Sequence, residues 1–540
     1  MRGGIKVKKK LLSILMVALT SVTVLAGCGA KDSPDSGGGQ RGGKVTKPDN
    51  DLVIAIEGSV SSLDPHNISD TNAISATRGM YETLIGFDDK QEMVGLLAED
   101  WEVSEDSKTY TFNLRSGVKF HDGTDFNAEA VKANFDRLLN AENKLRHRRT
   151  YFITAADGSE TPRIVSIEAK DETTLVITLT EPYSIFLNKL TQLAIISPEA
   201  IKTHGNDIMF NPSGTGPFKY SKWVEGDHTA MVRNEEYWGE KAKVDSVTIK
   251  EVPEAGTRVA MLQTGEADLI YPMPSDQLAT IEKSEDASVK TSTSNIMRYV
   301  TLNSNLKELS NVKVRQAMNY AIDKNAYIQV MYSGYGEIAS SPVPEVIMYY
   351  AEQEPYTYDL DKAKALMEEA GYKDGFNLTI WGDNTTQEIK GMTFIQQQLA
   401  QIGIKVDVVP MEPATVSEKI YVPLEEAEIN MWYVNWSASD FSTDSSMRAL
   451  LHSAMMPPVS ANTAYYNNKK FDELLDKALT ITDTDELENM YKEIQTMAWE
   501  DAPWLFLGND QIIYAAKNYL SGAYVAPDGK LVFNSAEIAK

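Results

Sequence analysis

Residues 361–409 constrain the fold more than any other stretch. They read helix ("DKAKALMEEAGY"), strand ("FNLTIWG"), helix ("EIKGMTFIQQQLAQIG") and strand ("IKVDVVP") in direct succession. Two strand-length apolar runs separated by a helix form a βαβ unit, because parallel neighbours need a crossover that returns the chain to the same end of the sheet. The interleaving recurs. "KTYTFNLR" (108–115) puts Tyr110, Phe112 and Leu114 on one face with period two, and "TLVITLTEP" (174–182) does so with Leu175, Ile177 and Leu179. "NVKVRQAMNYAIDK" sets Val314, Ala317, Met318 and Ala321 on one helical face, with Asn311 as its N-cap. Such alternation predicts a mixed α/β architecture. No short-period repeat marks a solenoid.

The N-terminus predicts where this fold works. Arg2, Lys6, Lys8, Lys9 and Lys10 precede an uncharged apolar run, Leu11 to Ala26, which is shorter than the roughly 20 residues of a membrane span. Those are the flanks and length of an export signal. It closes on "LAGC", and Cys28 is the only cysteine in the chain. A lone Cys directly after a signal core resembles a bacterial lipobox, so Cys28 is the expected lipidation site and residues 1–28 the signal. Two or more acyl chains suffice for stable anchoring. Residues 29–50, rich in Gly, Ser, Pro and Asp, cannot build a core and read as a flexible tether. The body is thus expected outside the cytoplasm, held by lipid to the outer face of the cell membrane.

Charge and motifs narrow the function. Residues 1–28 carry five basic and no acidic residue, so their removal takes the formal charge from −25 to −30. Such a surface repels phosphates, which argues against nucleic acid as a partner. There is no G-x-S-x-G elbow, H-E-x-x-H or P-loop, and the six histidines lack ligand spacing. "FHDG" (120–123) reads as a turn rather than a metal pair. "GTGPFKY" (214–220) has a phosphate loop's glycines without its Lys-Ser/Thr, and reads as a turn entering a strand. No catalytic residue, cofactor or metal is expected.

Two stretches carry unusual polar chemistry. "NKLRHRRTYF" (143–152) concentrates Arg146, Arg148 and Arg149 beside Tyr151. It fits either a solvated basic patch or a bidentate grip on a carboxylate. "EINMWYVNWSASDFSTDSSMRALLHS" (428–453) begins as a buried strand through Ile429, Met431, Tyr433 and Trp436. It continues as a loop holding Asp440, Asp444 and Arg448. In open α/β sheets, ligands sit at the carboxyl ends of strands.

The run 97–139, "LAEDWEVSEDSKTYTFNLRSGVKFHDGTDFNAEAVKANFDRLL", resembles the signature of the family 5 solute-binding proteins of ABC transporters. "SSLDPH" (61–66), "GTGPFKY", "NEEYWG" (234–239), "VRQAMNYAIDK" (314–324), "GEIASSPVP" (336–344) and "YNNKKFDELLDKA" (466–478) extend that resemblance across 51–540. It implies a two-lobed type II periplasmic-binding fold with a hinged cleft. The first lobe would gather 51–95, 205–300 and 500–540, with 96–204 as its extra subdomain, and 301–499 would form the second. It also implies a monomer that captures a small peptide and delivers it to ABC permease subunits. A lipid anchor points to a Gram-positive type of envelope.

"NWSASDFSTDSSMRALLHS", "GYGEIASSPVPE" and the ending "GAYVAPDGKLVFNSAEI" look most like the glutathione-binding branch. On that resemblance Asn435, Trp436, Ser437 and Ser439 would wall the pocket. Asp440 or Asp444 would take an ammonium, and Arg448 with Arg146 or Arg148 would take carboxylates, beside Tyr151. The branch's acidic segment usually runs Gly-Asp/Glu-Ala-Asp, where this chain has "DFSTD". Rival expectations are a general di- or oligopeptide binder, a nickel-complex binder using His452, and a hydrolase using Asp440 and Asp444 as paired carboxylates.

Overall fold

Apolar residues alternating along short runs rich in Val, Ile and Thr build a central sheet in the computed structural model, which describes residues 50–88, 92–154, 159–481 and 483–539. The export signal, Cys28 and residues 29–49 of the tether lie outside the described residues. Among the described residues the sheet has eleven strands. Its path runs Phe218–Val224, His228–Arg233, Ser246–Glu251, Asp51–Ile56, Leu269–Tyr271, Trp504–Lys517, Ala287–Leu302, Met431–Ser437, Phe376–Asp383, Ile404–Met411. Gly336–Ile338 pairs separately with Trp504–Lys517.

The βαβ unit expected at 361–409 is present. Helix Leu360–Glu369 leads, and the strands Phe376–Asp383 and Ile404–Met411 pair in parallel across helix Thr386–Ala400, capped by the Thr385 side chain on Glu388 N–H. Leu378, Ile380, Met392, Ile395, Leu399 and Ile404 are buried between them. Burying each such side chain contributes about 1.5–3 kcal/mol. A second parallel group, Asp51–Ile56 between Ser246–Glu251 and Leu269–Tyr271, forms the other side of the sheet around Leu52, Ile54, Val247 and Ile249.

Two long antiparallel strands, Ala287–Leu302 and Trp504–Lys517, join the two parallel groups. Their pairing is interrupted between Thr293 and Met297. Strand Met431–Ser437 pairs with Ala287–Leu302 only from Ile296 onward. The stretch Ala287–Asn295 therefore has one edge with no strand partner among the described residues.

The periodicity at 108–115 and 174–182 yields two strands of a separate four-stranded sheet, in the order Ala98–Val103, Thr109–Leu114, Thr174–Leu179, Ile164–Ala169. Tyr110, Phe112, Leu114, Leu175 and Ile177 face helix Ala128–Leu139 through its Val131, Phe135 and Leu138. The same helix docks on the main body by a buried ion pair. Arg137 donates to both oxygens of Asp64, at 3.1 and 2.6 Å, and to His66 Nδ1 at 3.0 Å, while His66 Nε2 donates to the Ala194 carbonyl at 2.8 Å. An acceptor Nδ1 and a donor Nε2 describe a neutral imidazole.

The motifs "FHDG" and "GTGPFKY" meet in space. His121 Nε2 donates to the Gly216 carbonyl at 2.9 Å, and Asp122 accepts from Ser213 and Thr124. A Cβ on Gly214 or Gly216 would lie 2.3 Å from the Met80 oxygen or 2.5 Å from the Gly79 oxygen, so these glycines permit close backbone packing. "NEEYWG" has a similar internal duty. Tyr237 and Trp238 donate to the half-buried Glu82, joined by Thr215.

Candidate functional site: an open cavity beside a charge-paired loop

Strand Met431–Ser437 buries Met431 and Tyr433 and delivers the loop at its carboxyl end, as its apolar lead-in requires. Asn435, Ser437 and Ser439 are exposed and Trp436 half-buried. Ser437 donates to Asn295 Oδ1 at 2.8 Å, and Asn295 donates to the Ala438 carbonyl at 3.0 Å, which clips the loop to the interrupted segment of Ala287–Leu302. Ser439 Oγ accepts from Gln192 at 3.0 Å. Trp436 Nε1 is buried without a hydrogen-bond partner among the described residues.

The stretch expected as one loop is a loop only as far as Ser442: Thr443–Leu451 is an α-helix, because its apolar residues recur at helical spacing, and it sets Asp444 and Arg448 one turn apart. The charged groups of this segment are paired with one another or with neighbouring elements. Asp440, 2 % exposed, forms an ion pair with Lys189 and accepts from Ser445 at 2.7 Å; Asn188 donates to its carbonyl at 3.1 Å. Burial disfavours the charged Lys189, but Asp440 more than offsets this and holds its pKa above the ordinary lysine value. Asp444, also 2 % exposed, receives Arg448 Nε at 3.0 Å and Nη2 at 2.9 Å. Arg448 continues to Asp476 at 2.7 Å and to the Leu475 carbonyl. His452 packs beside Asp472 and Asp476 at 3.8 and 3.3 Å. Every nitrogen of the Arg448 guanidinium therefore has an acceptor inside the protein.

The basic stretch is equally engaged. Arg148 stacks on Phe152 with its guanidinium carbon 3.8 Å from the ring centre, pairs with Glu160, and donates to the Leu139 carbonyl at 3.2 Å. Tyr151 is buried against Phe135, its hydroxyl 3.4 Å from the Lys189 carbonyl. Arg146 is exposed, tied by its backbone N–H to Asn67 Oδ1 at 3.2 Å, and Arg149 is exposed as well.

A cavity of about 670 Å³ opens next to this loop. One wall is Arg78, at the end of helix Thr71–Thr77, with Phe87, Asp88 and the segment Tyr524–Asp528. Glu345–Met348 and Phe441 also line it, as do Ser292 and Thr293 from the edge that has no strand partner among the described residues. Of the loop, Phe441 lines the cavity; Arg146, Arg148, Tyr151, Asn435, Trp436, Ser437, Ser439, Asp440, Asp444 and Arg448 do not. Phe441 meets Phe87 edge-on across the cavity, ring centres 5.6 Å apart. Its φ of 54° lies in the left-handed region, which costs a non-glycine residue about 1–3 kcal/mol. The geometry is held by Met348 N–H donating to the Phe441 carbonyl at 2.9 Å and by Phe441 N–H donating to the Ala438 carbonyl at 3.0 Å.

The cavity's charges are unlike those of the loop. Asp528 is paired with Lys530 at 2.7 Å. Burial alone would raise its pKa, yet Lys530 and then Arg78 hold it below the ordinary value. The side chains of Arg78 and Glu345 are exposed and have neither a hydrogen bond nor an ion pair among the described residues. Sequence reading did not single out either residue. Glu345 follows directly on "GEIASSPVP", and Asp528 lies within the ending "GAYVAPDGK", so the runs that carried the family resemblance border or contain both. Arg78, in "ATRGM", stands in no motif, and only tertiary folding brings it to the cavity.

Comparison with known proteins agrees with this architecture. The signature described as Bacterial extracellular solute-binding proteins, family 5 Middle, matches residues 92–458. The chain is 38 % identical over 497 residues to the glutathione-binding protein GsiB of Pectobacterium atrosepticum, covering 91 % of this chain and 94 % of that one. The structure of DppA from Helicobacter pylori in complex with the peptide STSA superposes with a TM-score of 0.72 at 30 % identity, covering 91 % and 98 % of the two chains. That of HbpA2 from Haemophilus parasuis gives 0.80 at 28 %, covering 91 % and 100 %. The α/β architecture read from the sequence is therefore that of periplasmic-type binding proteins, and the chain belongs to the bacterial extracellular solute-binding proteins, family 5.

Proposed function

We propose that this protein is the lipid-anchored receptor of an ABC importer, which captures a short peptide in the cavity lined by Arg78, Ser292, Thr293, Glu345 and Phe441 and hands it to the permease. The observation that carries the reading is the edge of Ala287–Ser294, which has no strand partner among the described residues, beside two opposite charges without a hydrogen bond or ion pair among them. A peptide presents an ammonium, a carboxylate and a strand of backbone donors and acceptors. An open strand edge reads the last of these as an added strand. That one relative is a glutathione-binding protein and that a structural neighbour was solved in complex with the peptide STSA support a peptide as ligand.

The segments 51–95, 205–300 and 500–540, with 96–204 appended, act as one lobe and 301–499 as the other. They close by bending at the interrupted pairing of the two long strands. Cys28 carries the lipid, residues 29–50 give the body reach, and the protein works as a monomer on the outer face of the membrane. Asp440, Asp444 and Arg448 shape the wall from which Phe441 projects. With Asp440 held by Lys189 and Asp444 by Arg448, neither carboxylate is placed as a free acid or base for hydrolysis.

Isothermal titration of the purified protein with tri-alanine tests the reading, with chromatography of the peptide after incubation. Saturable 1:1 binding with the peptide recovered intact is expected. Absence of binding by every short peptide, or release of cleavage products, would overturn it. For the anchor, Cys28→Ala should abolish incorporation of labelled fatty acid and release the protein from membranes.

A further inference from the structure

The charge inventory of the cavity bears on which peptides it accepts, a question that rests on the peptide-receptor reading above. Among the described residues lining it, Arg78 is the one basic side chain, against Asp88, Glu345 and Asp528. Asp528 is already neutralised by Lys530, and Asp88 has its own interactions, one of them with the Glu92 N–H at 2.9 Å. Among the described lining residues that leaves one cation, Arg78, and one anion, Glu345, without a hydrogen bond or ion pair to hold them away from a ligand. The neighbouring loop adds no further cation, since Lys189 is held by Asp440 and Arg448 by Asp444 and Asp476.

A peptide without charged side chains carries one ammonium and one carboxylate at neutral pH and matches that pair. Glutathione carries one ammonium and two carboxylates. Its second carboxylate would enter a cavity whose described lining offers no second cation and three acidic side chains. A carboxylate desolvated without a partner is costly, and like charges at close range add to the cost. We infer that this protein selects short peptides of zero or positive net charge, with Arg78 taking the carboxylate and Glu345 the ammonium or a basic side chain, and that it discriminates against glutathione.

Selectivity of this kind is achieved by what a site lacks as much as by what it offers. The same pocket that welcomes a lysyl side chain beside Glu345 has nothing for an acidic one.

The test is a titration series on the purified protein using tri-alanine, Ala-Lys-Ala, Ala-Glu-Ala and glutathione. Tri-alanine and Ala-Lys-Ala are expected to bind at least tenfold more tightly than Ala-Glu-Ala and glutathione. Glu345→Lys, an exposed position whose replacement leaves the core untouched, should narrow the gap between tri-alanine and glutathione at least tenfold. Glutathione binding as tightly as tri-alanine, or an unchanged gap in the Glu345→Lys protein, would overturn the inference while leaving the receptor reading intact. Failure of all four ligands to bind would overturn the receptor reading and the inference with it.

Discussion

The segment 437–453, a short loop running into helix Thr443–Leu451, and the cavity beside it hold similar side chains in opposite situations. In the segment, Asp440 meets Lys189 and Asp444 meets Arg448, which also reaches Asp476; its two carboxylates are buried and the cations mostly so. In the cavity, Arg78 and Glu345 are exposed and unpaired among the described residues. A buried charge needs its partner permanently, because desolvation is costly without one. An exposed charge can exchange water for a ligand. The residue types alone mark both regions as candidate binding sites, whereas their partners distinguish them: on the proposed reading one is scaffold and the other receptor.

The largest expected effect lies at Arg448, on helix Thr443–Leu451. Arg448→Met leaves Asp444 buried without its cation and should cost about 3–5 kcal/mol of stability. Chemical denaturation should show it, while the variant's affinity for tri-alanine stays within about threefold of the parent under conditions where it is folded. A variant as stable as the parent, with binding lost, would make Arg448 part of the receptor.

Next comes the anchor of the four-stranded sheet, a buried charge site whose partners include a neutral histidine. Burial chiefly, and then Arg137, hold the His66 pKa at about 4, against 6.5 unfolded. Both states are neutral above pH 6.5, so no stability is lost there. Between 6.5 and about 4 the unfolded chain binds a proton that the folded one refuses, and about 3 kcal/mol is lost as the pH falls through that window. Stability measured against pH should show this loss on top of that from His121 and His147, whose burial also lowers their pKa, and His66→Gln should make that part of the curve shallower.

Smaller effects belong to the cavity and the surface. Arg78→Met should weaken tri-alanine binding at least tenfold, about 1.4 kcal/mol, and leave thermal unfolding unchanged. Glu160→Gln, which removes the partner of Arg148, should change stability by less than about 1 kcal/mol and peptide affinity not at all, because pairs near the surface contribute little. A tenfold loss of affinity in that variant would return the basic stretch 143–152 to the site.

Much of the fold was legible because its signals are periodic. The βαβ unit at 361–409, the faces of 108–115 and 174–182, the helix capped by Asn311 and the delivering strand at 431–437 all follow from spacing and caps. The central sheet's order was not legible, since the long strands Ala287–Leu302 and Trp504–Lys517 pair across about two hundred residues. The site was readable to the level of the neighbourhood. Spacing locates the loop, but which of its charges are already satisfied depends on Lys189, Asp476 and Leu475, which lie far away in sequence or on another helix. Arg78 has no local signature, because a guanidinium at a helix end looks the same in sequence whether or not it has a partner.

On the proposed reading, ligand charges are read by Arg78 and Glu345 in the cavity lining, with Asp440, Asp444 and Arg448 as scaffold. A crystal structure of the protein with tri-alanine tests it most directly. The account predicts the peptide laid along Ser292 and Thr293, its carboxylate on Arg78 and its ammonium on Glu345, with the Lys189–Asp440 and Arg448–Asp444 pairs intact. A carboxylate bound to Arg448, or an ammonium bound to Asp440 in place of Lys189, would contradict it.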